Sequence, residues 1–513
     1  MKRAIALGLA AFALSICAQE HVDVLVRGGT VVDGTGAPGR IADVGLRGDR
    51  IVFIGNAATA HLKASRTIGA IGLIVAPGFI DPHTHTLGDL SSAQHHANEN
   101  YLFQGVTTVL TGNDGGGPLN TGAILTKWTD QGIGTNAALY VGFGSVRTEV
   151  LGNADVAPNP EQLERMRGMV KKSMEEGALG LSTGLFYSPQ NFSKTPEVIE
   201  VAKAAAALGG VYDSHMRDES SYSIGLLGSI AETIQIAREA HIPVNISHIK
   251  ALGVDVWGQS KDAIAMINKA RAQGLHVTAD QYPYSASGSS LTASLIPAWA
   301  QDGGTKAMIA RFDDPKTHDR IRTEMTRNMQ RRGGEDSFLL LTPRDAALKG
   351  KRLGAVAKMW KKSAIEAAID IIRNGGSGVA SFNMTEPDIE AFMKQDWVMT
   401  CSDGSTGHPR KYGTFPRKLR RYVYERKTIT LEFMVRHSAA LTADTFKLKD
   451  RGYLRTGYFA DVIVFDPKTV ADVATYEEPE RLATGMKFVF VNGRAAIEDG
   501  KLTGTLAGKA LRR

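Results

Sequence analysis

The feature that most constrains the fold of this 513-residue chain is an alternation: short apolar runs with strand character recur through its middle, separated by stretches of helical period. Seven such runs lie at 107–111, 137–141, 178–182, 211–213, 244–247, 277–280 and 397–401, and an eighth at 73–80 precedes them. Helical stretches at 197–208, 224–240 and 261–273 separate several of them. Strands joined through helices lie parallel with right-handed crossovers, and eight such units close into a barrel. The expected fold class is therefore α/β, a (β/α)₈ TIM-like barrel over residues 72–447. Residues 291–357 break the rhythm with Asp313-Asp314-Pro315 and Arg331-Arg332-Gly333-Gly334. They read as an insertion over the barrel mouth, either a lid or a decoration.

The flanks have a different character. Residues 22–71 offer β-rich pieces at 22–26, 41–46 and 51–54, divided by turns at Gly28, Gly34 and Gly48. Residues 448–513 repeat the pattern at 460–467 and 488–493, the latter ending in Asn492-Gly493, a hairpin signal. The two flanks are expected to share one composite β-sandwich domain.

The start, Met1-Lys2-Arg3 followed by an apolar run over 4–16 and then Cys17-Ala18, has the three regions of a secretory signal, residues 1–18. That run is too short to span a bilayer. The expected location is exported, periplasmic or secreted; a lipid anchor on Cys17 is disfavoured by the bulky Ile16. Cys17 and Cys401 are the only cysteines, so loss of the leader leaves no partner for an intrachain disulfide. The net charge of +7 falls to +5 without Lys2 and Arg3, and no run of five Lys or Arg occurs. Nucleic-acid and membrane partners gain no support from this, whereas small anionic substrates do.

Chemistry concentrates at the strand ends. In Pro77-Gly78-Phe79-Ile80-Asp81-Pro82-His83-Thr84-His85 the two-residue period of a strand sends both imidazoles to one side. His215, His248 and Asp403 end later strand-like runs. Imidazole and carboxylate groups suit Zn²⁺, one ion or two, and active sites of such barrels gather at the C-terminal face. Taken singly, a His at a strand end is more often structural, and Ser402-Asp403-Gly404 also reads as a turn. Four His and one Asp at the ends of four strands argue for a site.

Several longer motifs carry a resemblance: Gly105-Val106-Thr107-Thr108-Val109, Gly180-Leu181-Ser182-Thr183-Gly184-Leu185, Ser214-His215-Met216-Arg217, Asp280-Gln281-Tyr282-Pro283-Tyr284, Ser402-Asp403-Gly404 and the run from His408 to Arg417. With these the chain resembles the N-acyl-D-amino-acid deacylase branch of the amidohydrolase superfamily over nearly its whole mature length. The resemblance implies zinc-dependent hydrolysis of the amide of an N-acyl-D-amino acid. It implies metal ligation by His83, His85, His215, His248 and Asp403, and contact of the substrate carboxylate with Lys250, Tyr282 and Arg410. The bland alternative is that Lys250 and Arg410 are solvated loop charges.

Two departures stand out. Gly112-Asn113-Asp114-Gly115 places Asp where the family has a metal-centre Cys, so Asp114 reads either as a replacement ligand or as a turn residue. Gly142-Phe143-Gly144 carries Phe at a position where the family commonly has His. In the expected mechanism Asp403 accepts the proton of the attacking water and passes it to the departing nitrogen. The rival readings are a cyclic-amide hydrolase, weakened because the fourth strand offers Leu181-Ser182-Thr183 and no Lys, and a metal-binding protein without turnover.

Overall fold

A computed structural model describes residues 21–513, so the leader reading, with Cys17, lies outside the described residues. Eight parallel strands form the barrel wall. The first two are Phe79–Thr84 and Val106–Thr111; the third is Asn136–Leu139, continued as Val141–Gly142; the fourth is Gly180–Gly184. Val211–His215, Val244–Ile246, Val277–Gln281 and Val398–Thr400 complete it. The ring closes where the Asp403 amide donates to the His83 carbonyl (3.0 Å) and Thr84 bridges Gly404. Helices Thr195–Ala207, Gly225–Glu239 and Ser260–Ala272 fill the expected crossovers. The strands are buried on both faces, which is why their sequences read as apolar runs rather than alternations.

The expected first strand at 73–80 is two strands. Ile74–Pro77 belongs to the outer β layer, and the barrel strand begins only at Phe79. Gly78 makes the transfer possible: a Cβ there would lie 2.2 Å from Thr107 Oγ1, so no other residue lets the chain pass so close to the second strand.

The outer layer is a nine-stranded sheet built from both ends of the chain. Its centre joins Ile74–Pro77 to Val462–Phe465, antiparallel. His21–Val31 pairs along one edge first with Lys63–Gly69 and then with Ile74–Pro77, and along the other with Arg40–Arg47. Val26, Val44, Ile51, Val462, Val464 and Phe490 form a core of this layer, whereas Ile463, Val489 and Val491 face barrel residues such as Phe79 and Trp128. The last residues leave the layer: Gly508 and Ala510 bridge Ile133 and Ala137 beside the third barrel strand.

The excursion between the seventh and eighth strands is wider than the 291–357 read from sequence. Its frame is an antiparallel sheet of Ala286–Ser290, Gly378–Phe382 and Phe338–Leu340, with a core that includes Leu291, Phe312, Phe338 and Ile369. Among the described residues no helix is long and apolar enough to cross a membrane.

Behind the eighth strand, Lys418 is buried with its Nζ donating to Thr400 Oγ1 (2.8 Å), and no carboxylate pairs with it among the described residues. Burial pushes its pKa down to about 7. Below pH 7 the folded chain carries the full cost of the buried charge. Between pH 7 and the unfolded value near 10.5, the unfolded chain holds a proton the folded chain lacks, so stability rises with pH. Lys418→Met is therefore expected to stabilise the protein by on the order of 3 kcal/mol near pH 6, the gain shrinking as pH approaches 10. Urea unfolding of both proteins at pH 6 and 9 checks this; a variant less stable than wild type at pH 6 would refute it.

Candidate metal centre

The C-terminal ends of the barrel strands bring the predicted residues together. His83 lies within the first strand, with His85 just beyond it; Asp114 follows the second strand, His215 ends the fifth, His248 follows the sixth and Asp403 the eighth. Asp114, His248 and Asp403 adopt left-handed backbone conformations, with φ of 56°, 37° and 46°. Three such residues at one mouth mark a place where side-chain aim takes precedence over backbone ease.

Asp114 is the hub. Its Oδ1 lies 3.4 Å from His83 Nε2, 3.6 Å from His215 Nδ1 and 3.6 Å from His248 Nε2, and its Oδ2 lies 3.7 Å from His85 Nε2. Asp403 Oδ1 stands 3.0 Å from His85 Nε2 and 3.8 Å from His83 Nε2. His83 Nε2, His215 Nδ1 and Asp114 Oδ1 are buried and lack hydrogen-bond partners among the described residues. Ligands about 2.0–2.1 Å from a tetrahedral ion sit roughly 3.3–3.4 Å from one another, close to these spacings. The donor set therefore fits a divalent cation; His83, Asp114, His248 and Asp403 form a four-residue group whose ligand atoms all lie within 4.8 Å of one another.

The electrostatics agree. Burial opposes a charge on His83, yet Asp114 and Asp403 reverse this and raise its pKa to about 10. Burial and Lys250 act against protonation of His248, but Glu219, Asp403 and Asp114 raise it to about 9. Burial alone would lift Asp114, but His83 and His215 hold its carboxyl well below the usual range. The carboxylates thus call for positive charge here, which a dication supplies without the protons.

A layer of buried acids beneath the imidazoles holds them in place. Asp280 accepts from the His248 amide (2.7 Å) and from Asn245 (2.5 Å). Asp213 accepts from Asn245 and Asn113, each at 2.9 Å, and Asp81 from the Ser402 amide at 3.1 Å. Gln190 Nε2 donates to the Asp114 carbonyl (2.9 Å), fixing the turn that aims its carboxylate.

Lys250, Tyr282 and Arg410 also converge. Arg410 stacks 4.4 Å over the Tyr282 ring and Lys250 lies 5.7 Å from it. All three are buried, so neither cation is a solvated loop charge. Both are already paired: Arg410 Nη1 with Asp403 Oδ2 (2.8 Å), Lys250 Nζ with Glu219 Oε1 (2.5 Å). The buried Tyr282 hydroxyl has no hydrogen-bond partner among the described residues.

Glu219 was not singled out from sequence. It contacts His248 Nδ1 (3.1 Å), His215 Nε2 (3.9 Å) and Lys250, joining three predicted residues. Residues 216–224 form an irregular loop after the fifth strand, so no sequence period marks it. Phe143, standing where the family commonly has His, is fully buried in the barrel's outer core and holds no polar group in the site.

A curated D-aminoacylase of Alcaligenes xylosoxydans xylosoxydans is 35% identical over 518 residues, covering 96% of this chain and 98% of its own length. A solved D-aminoacylase structure, described for the functional role of its binuclear metal centre, is 33% identical, covering 96% of this chain and 100% of that one, with a TM-score of 0.81. An N-acyl-D-glutamate deacylase from Bordetella bronchiseptica, solved with zinc and a phosphonate mimic of the tetrahedral intermediate, is 30% identical with the same coverage and a TM-score of 0.82. The model of the amidohydrolase family matches residues 66–497, and with the barrel and its ring of His and Asp residues this places the chain in the amidohydrolase family.

Proposed function

We propose that the protein is a zinc-dependent hydrolase that cleaves the amide bond of N-acyl-D-amino acids, releasing a carboxylate and the free amino acid. The observation that carries this reading is the convergence of four imidazoles on Asp114 and Asp403 directly beside the Arg410–Tyr282 stack. His83, His85, His215, His248, Asp114 and Asp403 would hold one or two zinc ions. Asp114, which turns one oxygen toward His83, His215 and His248 and the other toward His85, would be the carboxylate ligand common to the group. Zinc bound there supplies Lewis acidity toward the scissile carbonyl and lowers the pKa of the attacking water.

The chain's own residues do the rest. Asp403 takes the proton of the attacking water and delivers it to the leaving nitrogen. Burial raises the pKa of Asp403, but Arg410 and His248 outweigh it and hold the carboxyl well below its usual range. Arg410 and Tyr282, the latter with its unpartnered hydroxyl, take the substrate's α-carboxylate. With carboxylate and carbonyl both fixed, the enantiomers point their side chains in different directions and cannot fit equally. The preference for D rests on the relatives. The leader sequence supports export of the protein.

A panel of N-acetyl-D- and N-acetyl-L-amino acids, assayed with and without added zinc, tests the reading. The D series is expected to exceed the L series in kcat/KM by at least about tenfold, equivalent to roughly 1.4 kcal/mol. Equal rates on the two series would overturn the pocket described here, and hydrolysis confined to cyclic amides would overturn the reaction.

A further inference from the structure

Six Lys or Arg side chains are buried among the described residues: Arg147, Lys250, Arg332, Arg410, Lys418 and Arg451. Four rest on a carboxylate, namely Glu197, Glu219, Asp403 and Asp461 for Arg147, Lys250, Arg410 and Arg451. Lys418 is eased by a pKa near neutrality. Arg332 has no such partner: it is 2% exposed, and no Asp or Glu pairs with it among the described residues.

The partners it does have are neutral. Its Nε donates to the Tyr222 hydroxyl (2.5 Å), which in turn donates to the Ser294 carbonyl (2.9 Å). In the amide orientation its neighbours favour, Asn383 Oδ1 accepts from Arg332 Nη1 at 3.3 Å. Arg332 lines the cavity that also holds His215, His248, Tyr282 and Asp403. Ser220, whose buried hydroxyl lacks a partner among the described residues, lines it too. The arginine comes from the excursion between the seventh and eighth strands, just past the helix His318–Arg331, so the barrel alone cannot supply it.

A buried cation without a counter-ion is costly unless a ligand completes it. We propose that Arg332 is a specificity-determining residue for a second carboxylate on the substrate, separate from the α-carboxylate assigned to Arg410 and carried on the amino-acid side chain or on the acyl group. This rests on the deacylase reading and narrows it to dianionic N-acyl-D-amino acids. A carboxylate meeting the guanidinium gains charge-assisted hydrogen bonds that an amide of the same shape cannot match.

The test compares pairs of equal size that differ in charge. N-acetyl-D-glutamate against N-acetyl-D-glutamine probes the side chain; N-succinyl-D-leucine against its succinamic half-amide probes the acyl end. The wild type is expected to favour the dianion by at least about tenfold in kcat/KM in one pair, and Arg332→Met to collapse that ratio to about threefold or less. Arg332→Lys keeps the charge and should retain part of the preference. Equal loss on charged and neutral members in Arg332→Met, or no preference in the wild type on either pair, would overturn the proposal and leave the deacylase reading standing. If no N-acylamino acid is turned over, the deacylase reading fails, and calorimetric binding of glutarate against its half-amide decides the arginine's role alone. At least tenfold tighter glutarate binding that is lost in Arg332→Met supports it; equal binding overturns it.

Discussion

Asp403→Asn is expected to lower kcat by about 10²–10⁴-fold, the range for loss of a positioned general base, while leaving most of the metal bound. The asparagine keeps the shape and an oxygen facing His85, now 3.0 Å from Asp403 Oδ1, but cannot accept the proton of the attacking water. Arg410, 2.8 Å from Asp403 Oδ2, loses its counter-ion in the same change. KM for an N-acyl-D-amino acid should therefore move much less than kcat, because the freed guanidinium remains available to the substrate carboxylate. Steady-state kinetics with elemental analysis of the purified variant separates the outcomes. Activity within about tenfold of wild type would remove Asp403 from proton transfer, and loss of all metal with the activity would make it mainly a ligand.

Removal of the metal is expected to have an effect at least as large. Dialysis against a chelator should reduce activity to below about 1%, since Lewis-acid assistance is worth several kcal/mol, and zinc should restore it. Asp114→Ala should not be restored by the same zinc concentration. The variant deletes the one oxygen on which His83, His215 and His248 converge at 3.4–3.6 Å. Metal content after re-addition checks both statements: full occupancy in Asp114→Ala would show Asp114 to be a turn residue, and a fully active chelated wild type would remove the metal from the reaction.

The barrel, and the convergence of most candidate site residues at one mouth, were legible because parallel strands and strand-end side chains leave local marks. The two-residue period carried His83 and His85 to one side, and the shared barrel face brought His215, His248 and Asp403 to the same mouth. Two things were hidden. The apolar run at 73–80 has no break in hydropathy where it passes from one sheet to another, and the crossing depends on how near Gly78 comes to Thr107. Glu219 sits in an irregular loop, so no period announces that its carboxylate meets His248 and Lys250. That contact is long-range, and it changes the standing of Lys250: its charge already serves Glu219.

The sheet shared by the two ends of the chain also governs the order of events during synthesis. Pro77 lies opposite Val462, so the inner edge of the amino-terminal half waits for about 385 further residues before its neighbour exists. At 5–20 residues per second that delay is roughly 20–80 s, many times longer than hairpins need to form. Throughout it, Ile74–Pro77 presents an open apolar edge of the kind that recruits other chains. Native pairing of this edge must wait until residue 462 has been made. A nascent chain shortened before residue 462 should therefore stay bound to holdase chaperones, or aggregate, even when every barrel strand has been made.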